Sequence, residues 1–265
     1  MMKHYLSAAV ITRNEERNIE RCLNSLVGVV DEIVVVDSLS EDATVDICRR
    51  YGARVVTRPF TGYGSQRQYA ATLASGNYVL SIDADEVLTD ELRENLKALK
   101  TRGFDHRMYS FEVVNYICGR RMDHSGLRPV SEIRLFDKRY ANWDLLDVGE
   151  RLTYPSGVLP EPLAGAMHHY RSDSLEEFEK KEMRHAALRA RLLAAAGISA
   201  SKPVCWLRGA AAYLRCGISD GAFLDGATGR RIAAIRAKAA VAAYEAARRI
   251  NRPAARPEAN TDAGK

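Results

Sequence analysis

The sequence holds little cysteine, and none of it is spaced for pairing. Its five cysteines, Cys22, Cys48, Cys118, Cys205 and Cys216, form no CxxC pair, and their number is odd. Free thiols in a reducing compartment are the simplest reading, and the His/Cys spacing of a zinc site is missing. No run of about 18 uncharged residues occurs, so no membrane-spanning helix is expected. The apolar stretch near the N-terminus, Tyr5 to Ile11, is too short for the apolar core of a signal peptide. There is no internal repeat, and no nucleic-acid-binding motif accompanies the positive charge. These absences leave a soluble protein, or one that at most lies on a membrane surface.

What is present is enough to fold. In 265 residues, 46% are hydrophobic, which fills a sizeable core and suits one large α/β domain or a domain with an appendage. The net charge of +5 is uneven. Residues 171–265 carry 18 Lys/Arg against 10 Asp/Glu, whereas the first 170 residues are net negative. The basic surface therefore belongs to the C-terminal part, where it could meet phosphates or an anionic membrane.

Along the chain, apolar runs and helical patterns alternate. Leu6–Ile11 reads as a strand buried on both faces. Asn14 is placed to cap a helix carrying Ile19, Cys22, Leu23 and Leu26 at helical spacing. Glu32–Asp37 (EIVVVD) is a second strand, followed by a helix to about Tyr51 that Gly52 stops. Arg54–Thr57 is a third strand, and Ser65 can cap a helix through Ala74. Tyr78–Ile82 is a fourth strand, with Thr89 capping the next helix. Four such units predict a mostly parallel sheet with helices on both faces, whose ligands bind beyond the C-terminal strand ends. Those ends are Thr12–Glu15, Asp37–Ser40, the loop around residues 58–67, and Asp83–Glu86. Residues 105–170, with short strands at Tyr109–Val114 and Ile133–Phe136, read as a second antiparallel layer over the sheet edge. Helices are expected over Glu176–Leu193, Pro203–Ile218 and Ala227–Ile250, and a disordered tail from Asn251.

The fourth strand ends in "SIDADE". Asp83, Asp85 and Glu86 lie almost adjacent, and like charges this close repel unless a cation shares them. Hard oxygen ligands suit Mg2+ or Mn2+, completed by substrate phosphates, and such an ion would act as a Lewis acid on a leaving diphosphate. The bland alternative is that the acids merely solvate a loop. A second enzymatic reading takes Asp83-Ala84-Asp85-Glu86-Val87 as the DxDx[TV] pattern of haloacid-dehalogenase-type phosphatases, with Asp83 as nucleophile. That pattern usually follows the first strand of its domain, not the fourth.

Taken together, "AAVITRNEERNIERCLNSL", "DEIVVVDSLSEDATVDICRRYGARV", "GYGSQRQYAATLASGNYVLSIDADE" and "RLFDKR" resemble the family 2 glycosyltransferases over residues 5–175. The later "HHYRSDSLEEF" and "GAFLDGATG" are similar to the bacterial branch of lipopolysaccharide-core β-1,4-glucosyltransferases. The resemblance implies a GT-A fold, a Rossmann-like nucleotide-sugar-binding α/β architecture with a mostly parallel central sheet. It implies transfer of a sugar from a nucleotide diphosphate, with UDP-glucose as donor and a lipopolysaccharide-core heptose or other lipid-linked glycan as acceptor. By the same resemblance Thr12, Asn14 and Glu15 line the nucleotide pocket, Asp37 accepts from uracil or ribose, and Arg67 faces the diphosphate. Asp83 and Asp85 form the DxD of the metal site, Asp85 more directly, and His169 completes it. Glu150 is the general base for an inverting displacement. The sequence departs from the pattern at Gly149, where family members often have His, which leaves Glu132 and Asp147 as alternative bases. It departs again at Arg128-Pro129-Val130, where the branch commonly has Tyr-Pro-Asp.

These readings divide the chain into a glycosyltransferase domain (1–170), a basic amphipathic helical extension (171–250) and a tail (251–265). The extension, with Trp206, Tyr213 and Phe223, suits the anionic inner leaflet, so a cytoplasmic protein peripheral to the inner membrane is expected. Alternatives are a transferase of the same fold using another nucleotide sugar and carrier, or a nucleotide-sugar binder without turnover.

Overall fold

The structure is a computed structural model and describes residues 5–251. The expected tail therefore lies outside the described residues beyond Asn251, which ends the last helix.

The first hundred residues build the expected alternation: β1 (Leu6–Thr12), α1 (Ile19–Leu26), β2 (Glu32–Asp37), α2 (Thr44–Arg50), β3 (Arg54–Thr57), α3 (Tyr63–Leu73), β4 (Tyr78–Asp83), a short β5 (Glu86–Leu88) and α4 (Asp90–Arg102). Every residue of β1 is buried because both of its faces are covered. Leu6, Ala8 and Val10 pack with Leu23, Leu26, Leu92 and Leu96 of α1 and α4. Ala9 and Ile11 point the other way, to Ala70 and Ala71 of α3 and to Trp143. Period-2 alternation thus feeds two cores from one strand. β1 pairs in parallel with both β2 and β4, and β2 with β3. The order β3-β2-β1-β4 reverses direction at β1, so the loops leaving β1 and β4 diverge and open a crevice between them.

The rest of the sheet departs from the expected second layer. β6 (Met108–Ile117), β8 (Val130–Asp137) and β11 (Glu161–Ser172) join edge-on and continue the same nine-stranded sheet, in the order β4-β8-β6-β11-β5. Short β7 (Arg120–Arg121) pairs with β6, and β9 (Asn142–Trp143) with β10 (Leu152–Thr153). Continuation costs no new core, since the helices already cover one face and the β9–β10 ribbon helps cover the other.

Two expected caps are corrected. Asn14 caps no helix. It holds φ of 53°, its N–H donates to Ser40 Oγ at 2.8 Å, and its Oδ1 accepts from the Glu41 N–H at 2.8 Å. It ties the β1 loop to the β2 loop, and α1 begins only after Asn18. Helix α3 starts two residues before Ser65, after Gly62 at φ 119°. Thr89 caps α4 as expected, accepting from the Leu92 N–H at 3.3 Å.

The chain then turns helical: α5 (Leu175–Ala195), α6 (Lys202–Leu214), a π-helical turn (Arg215–Ser219), a 3-10 turn (Ala222–Asp225) and α7 (Gly226–Ile250). Ile232, Ala233 and Ile235 of α7 pack with Phe178 of α5, with Ile117 of β6 and with Met122 and Leu127 of the loop before β8. Ala186 meets Ala239 and Ala243 in a second contact of small side chains, which lets α5 and α7 approach closely. The alanine-rich face of α7 is thus an internal packing face. Among the described residues no helix is long and apolar enough to cross a membrane.

Candidate active site

The C-terminal strand ends open into a cleft of about 1770 Å3 that runs on between the sheet and the C-terminal helices. Thr12, Asn14, Glu15, Arg67, Asp83, Asp85, Glu150 and His169 all line it. Asp37 does not. It is 1% exposed, and its carboxylate accepts from the Ser40 N–H at 3.0 Å and from the Ser40 hydroxyl, so it closes the turn after β2.

Arg67 ties two carboxylates of the cleft together. It rises from the second turn of α3, where it is buried at 6% exposure. Its Nη2 lies 2.6 Å from Asp83 Oδ2 and its Nε 3.0 Å from Glu150 Oε1. Burial alone would lower the guanidinium pKa, but Asp83 and then Glu150 and Glu86 outweigh it, so the pKa is raised and the cation is secure. One fixed charge therefore couples the first acid of the DxD to the expected base, which lies 83 residues beyond Arg67 in the sequence.

The Glu150 loop is docked on the same helix. The Tyr63 and Gly64 N–H groups, unpaired within the first turn of α3, donate to the carbonyls of Asp147 at 3.1 Å and Leu146 at 3.0 Å. Of the alternative bases, Glu132 lines the cleft but is paired with Arg134 at 2.9 Å, whereas Asp147 is not in the lining. Gly149 sits at φ 76° in open space, a conformation that a His side chain adopts only with strain.

The turn between β4 and β5 is held from below by Glu86, which is completely buried. Its Oε2 accepts from the Asp83 N–H at 2.7 Å, and its Oε1 pairs with Arg134 Nη2 at 2.8 Å. Burial raises the Glu86 pKa, and Arg134 and His169 oppose that without cancelling it. Asp85 shares His169 with Glu86 and has Lys181 on its other side. His169 Nε2 lies 3.4 Å from its Oδ1 and Lys181 Nζ 3.3 Å from its Oδ2. Burial would raise the Asp85 pKa, but His169, Lys181 and Arg171 hold it well below the usual carboxylate range. Lys181 also reaches Glu15 Oε1 at 3.6 Å. Burial and Asp85 together raise the Glu15 pKa, against the pull of Lys181 and Asn18.

Four buried polar atoms in the cleft lining find no partner within the protein: Thr12 Oγ1, Gln66 Oε1, Asp83 Oδ1 and Arg134 Nη1. Buried polar groups are normally satisfied. These are four of nine such atoms among the described residues, and all four belong to residues that line this one cleft. Among the described residues there is no ready-made group of three or more His, Cys, Asp or Glu side chains that could hold a metal ion. The residue types nevertheless suit a hard divalent cation: Asp83 carries an orphaned, buried oxygen, and Asp85 and His169, 3.4 Å apart, line the same cleft. Mg2+ in such sites is held by one or two carboxylates and completed by substrate phosphates.

With this geometry in hand, the family follows. The family model for Glycosyl transferase family 2 matches residues 7–158, more than half of the chain. The chain belongs to glycosyltransferase family 2. Within it, the fold is the GT-A arrangement, a mostly parallel mixed sheet with its strand order reversing at β1. The chain is similar to an uncharacterized glycosyltransferase, RT0209, of Rickettsia typhi, with 31% identity over 187 residues, covering 66% of this chain and 63% of that protein. It thus spans under two thirds of the length of that rickettsial relative. It is also similar to LpsC of Rhizobium meliloti, a lipopolysaccharide core biosynthesis glycosyltransferase, with 30% identity over 190 residues and 70% of each chain covered. Among solved structures, S. aureus TarS 1–349 aligns with 18% identity, 70% and 65% coverage and a TM-score of 0.44. Glucosyl-3-phosphoglycerate synthase from Mycobacterium tuberculosis, in complex with Mn2+ and UDP-glucose, aligns with 29% identity over 43% of this chain and 44% of that one, TM-score 0.34. Membership of the glycosyltransferase family leaves the phosphatase reading of "DADEV" without support.

Several site residues were not legible in the sequence. Lys181 lies on α5, 96 residues from its partner Asp85, in a run that reads as a solvated basic helix. Gln66, fully buried and donating to Ser38 Oγ at 2.8 Å, and the Glu86–Arg134 pair also escaped notice. The one available signal was Glu86 itself, a third acid beside a DxD.

Proposed function

We propose that this glycosyltransferase moves a sugar, glucose from UDP-glucose in the sharpest form of the reading, onto a lipopolysaccharide-core or other lipid-linked glycan acceptor, with inversion at the anomeric carbon. The observation that carries it is Arg67, which holds Asp83 and Glu150 in one cleft beside four unsatisfied polar atoms. The likeness to LpsC supports the choice of acceptor. Thr12, Gln66 and Asp83 offer their free polar atoms to the nucleotide side. Arg67 is placed to exchange a carboxylate for a diphosphate oxygen, a pairing that its forked donors favour. Glu150 takes the proton of the acceptor hydroxyl as that oxygen bonds to the anomeric carbon and the bond to the diphosphate breaks. Asp83, Asp85 and His169 would hold the Mg2+ or Mn2+ ion, which when bound neutralises charge on the leaving diphosphate.

Donor turnover tests this reading. The purified protein should release UDP from UDP-glucose slowly in water and faster with acceptor, and Glu150→Gln should abolish transfer while UDP still binds. UDP-glucose bound but never consumed, with any acceptor fraction supplied, would instead favour a binder without turnover.

A further inference from the structure

Helix α6 stands apart from the other C-terminal helices. Its two buried residues are Cys205 and Gly209, and Gly209 seats directly against Val241 of α7. That contact leaves the opposite side bare. At about 100° per residue, Val204, Leu207, Ala211 and Leu214 fall together on the side away from α7. Leu207 is 67% exposed and Leu214 55%. The stripe runs on through the π-helical turn to Ile218, 68% exposed, and to Leu224, 74% exposed. Contiguous exposed apolar surface of this kind marks an interaction site, not ordinary surface scatter.

The charges say what covers it. α6 contains no acid. Its charged residues, Lys202 and Arg208, are joined by Arg215 immediately after it, and all three are exposed. An apolar stripe with Arg208 and Arg215 along one flank matches the boundary of an anionic bilayer, where lipid tails take the leucines and headgroups the cations. A second copy of the chain suits it poorly. Two-fold packing would set each helix's cations against those of its twin, with no acid on α6 to answer them.

We infer that α6 is an interfacial helix that seats this protein on an anionic lipid surface. Ile218 and Leu224 belong both to the stripe and to the lining of the catalytic cleft, so the cleft opens beside the membrane. A lipid-borne acceptor reaches Glu150 from that side, a consequence that rests on the transferase reading above, whereas the docking does not. The membrane contact expected from the basic C-terminus thus falls to α6, since α7 spends its alanine face on internal packing.

The test is co-sedimentation with vesicles of phosphatidylcholine alone and of phosphatidylcholine mixed with phosphatidylglycerol. The wild-type protein should pellet with the mixed vesicles, less so in high salt. Leu207→Glu/Leu214→Glu should lower that partition by about tenfold or more, and UDP binding by calorimetry should be unchanged, showing that the variant is folded. Wild type left in the supernatant with anionic vesicles would overturn the inference. So would pelleting that the double variant does not weaken, or a dimer in light scattering that the double variant turns into monomer. Vesicle binding by a protein that binds no nucleotide would sink the transferase reading and leave the docking intact.

Discussion

Gly64→Ala tests how the expected base is positioned. Gly64 is the second residue of α3, and its φ is not in the left-handed region, so alanine there should favour the helix by about 1 kcal/mol. Space forbids it. A Cβ at Gly64 would overlap the Asp144 carbonyl oxygen and stand 3.0 Å from Leu146 O. Both are backbone atoms, held by the Gly64 N–H to Leu146 O bond and by Asp144 N–H to Arg151 O at 2.9 Å. The loop must lift from the helix. Overpacking costs about 1–3 kcal/mol, and the loss of the two bonds from Tyr63 and Gly64 adds about 1 kcal/mol each. After the helix gain, the 144–150 loop is destabilised by about 2–4 kcal/mol. Glu150 then loses its place beside Arg67. Sugar-transfer kinetics should show turnover reduced about 100-fold or more, while UDP affinity from calorimetry shifts by less than about tenfold. Gly149→Ala is the control: it lies in the same loop but in open space, so only its positive φ resists, at about 1–2 kcal/mol. Wild-type turnover and Tm in Gly64→Ala would refute the idea that loop docking on α3 sets the base.

Arg134→Met leaves the Glu86 carboxylate buried without its main partner, which should cost about 3–5 kcal/mol and lower Tm by about 6–20 °C in a thermal melt; a loss under about 1 kcal/mol would mean that the pair does not hold the DxD turn. Glu32 resists its own partial burial by accepting from the Ser75 N–H and from the Ser7 and Ser75 hydroxyls, with Arg54 nearby, so its pKa is lowered. A depressed carboxylate stabilises above its unfolded pKa of about 4.3. Glu32→Gln should therefore lower Tm at pH 7, with the gap to wild type closing as pH falls through the acid range; a gap independent of pH contradicts the assignment. A thiol reagent at pH 8 should titrate exposed Cys118 in the folded protein and the other four cysteines only after unfolding, because all four are buried and burial pushes Cys48 up to about 11 and Cys22 well above the usual thiol range. Fast reaction of a second thiol before unfolding would show that the packing around that thiol opens.

The sequence was most readable where the local pattern and the tertiary role agree. β1, β2 and β4 are apolar runs because helices cover both of their faces, and the DxD at the end of β4 is local by nature. β11 was missed for the opposite reason. Its run EPLAGAMHHYRS has few large apolar residues and includes a kink at Gly165, φ 95°, where the register with β6 shifts and α4 presses close. The continuation of the sheet through β8 and β6 depends on pairings between distant segments that no local period encodes. Asn14 misled because side chains that cap helices also bridge loops, and here the bridge to Ser40 and Glu41 prevails. Lys181 had no local signature at all. Its meaning comes from α5 folding back over β11 and setting one cation between Asp85 and Glu15.

The most direct test of the proposed nucleotide site is calorimetric titration of UDP, with Mn2+ and with a chelator, into wild type and Asp85→Ala. The account predicts binding that depends on Mn2+ in the wild type and is lost in the variant. No heat of binding under either condition, or equal affinity in Asp85→Ala, would contradict it.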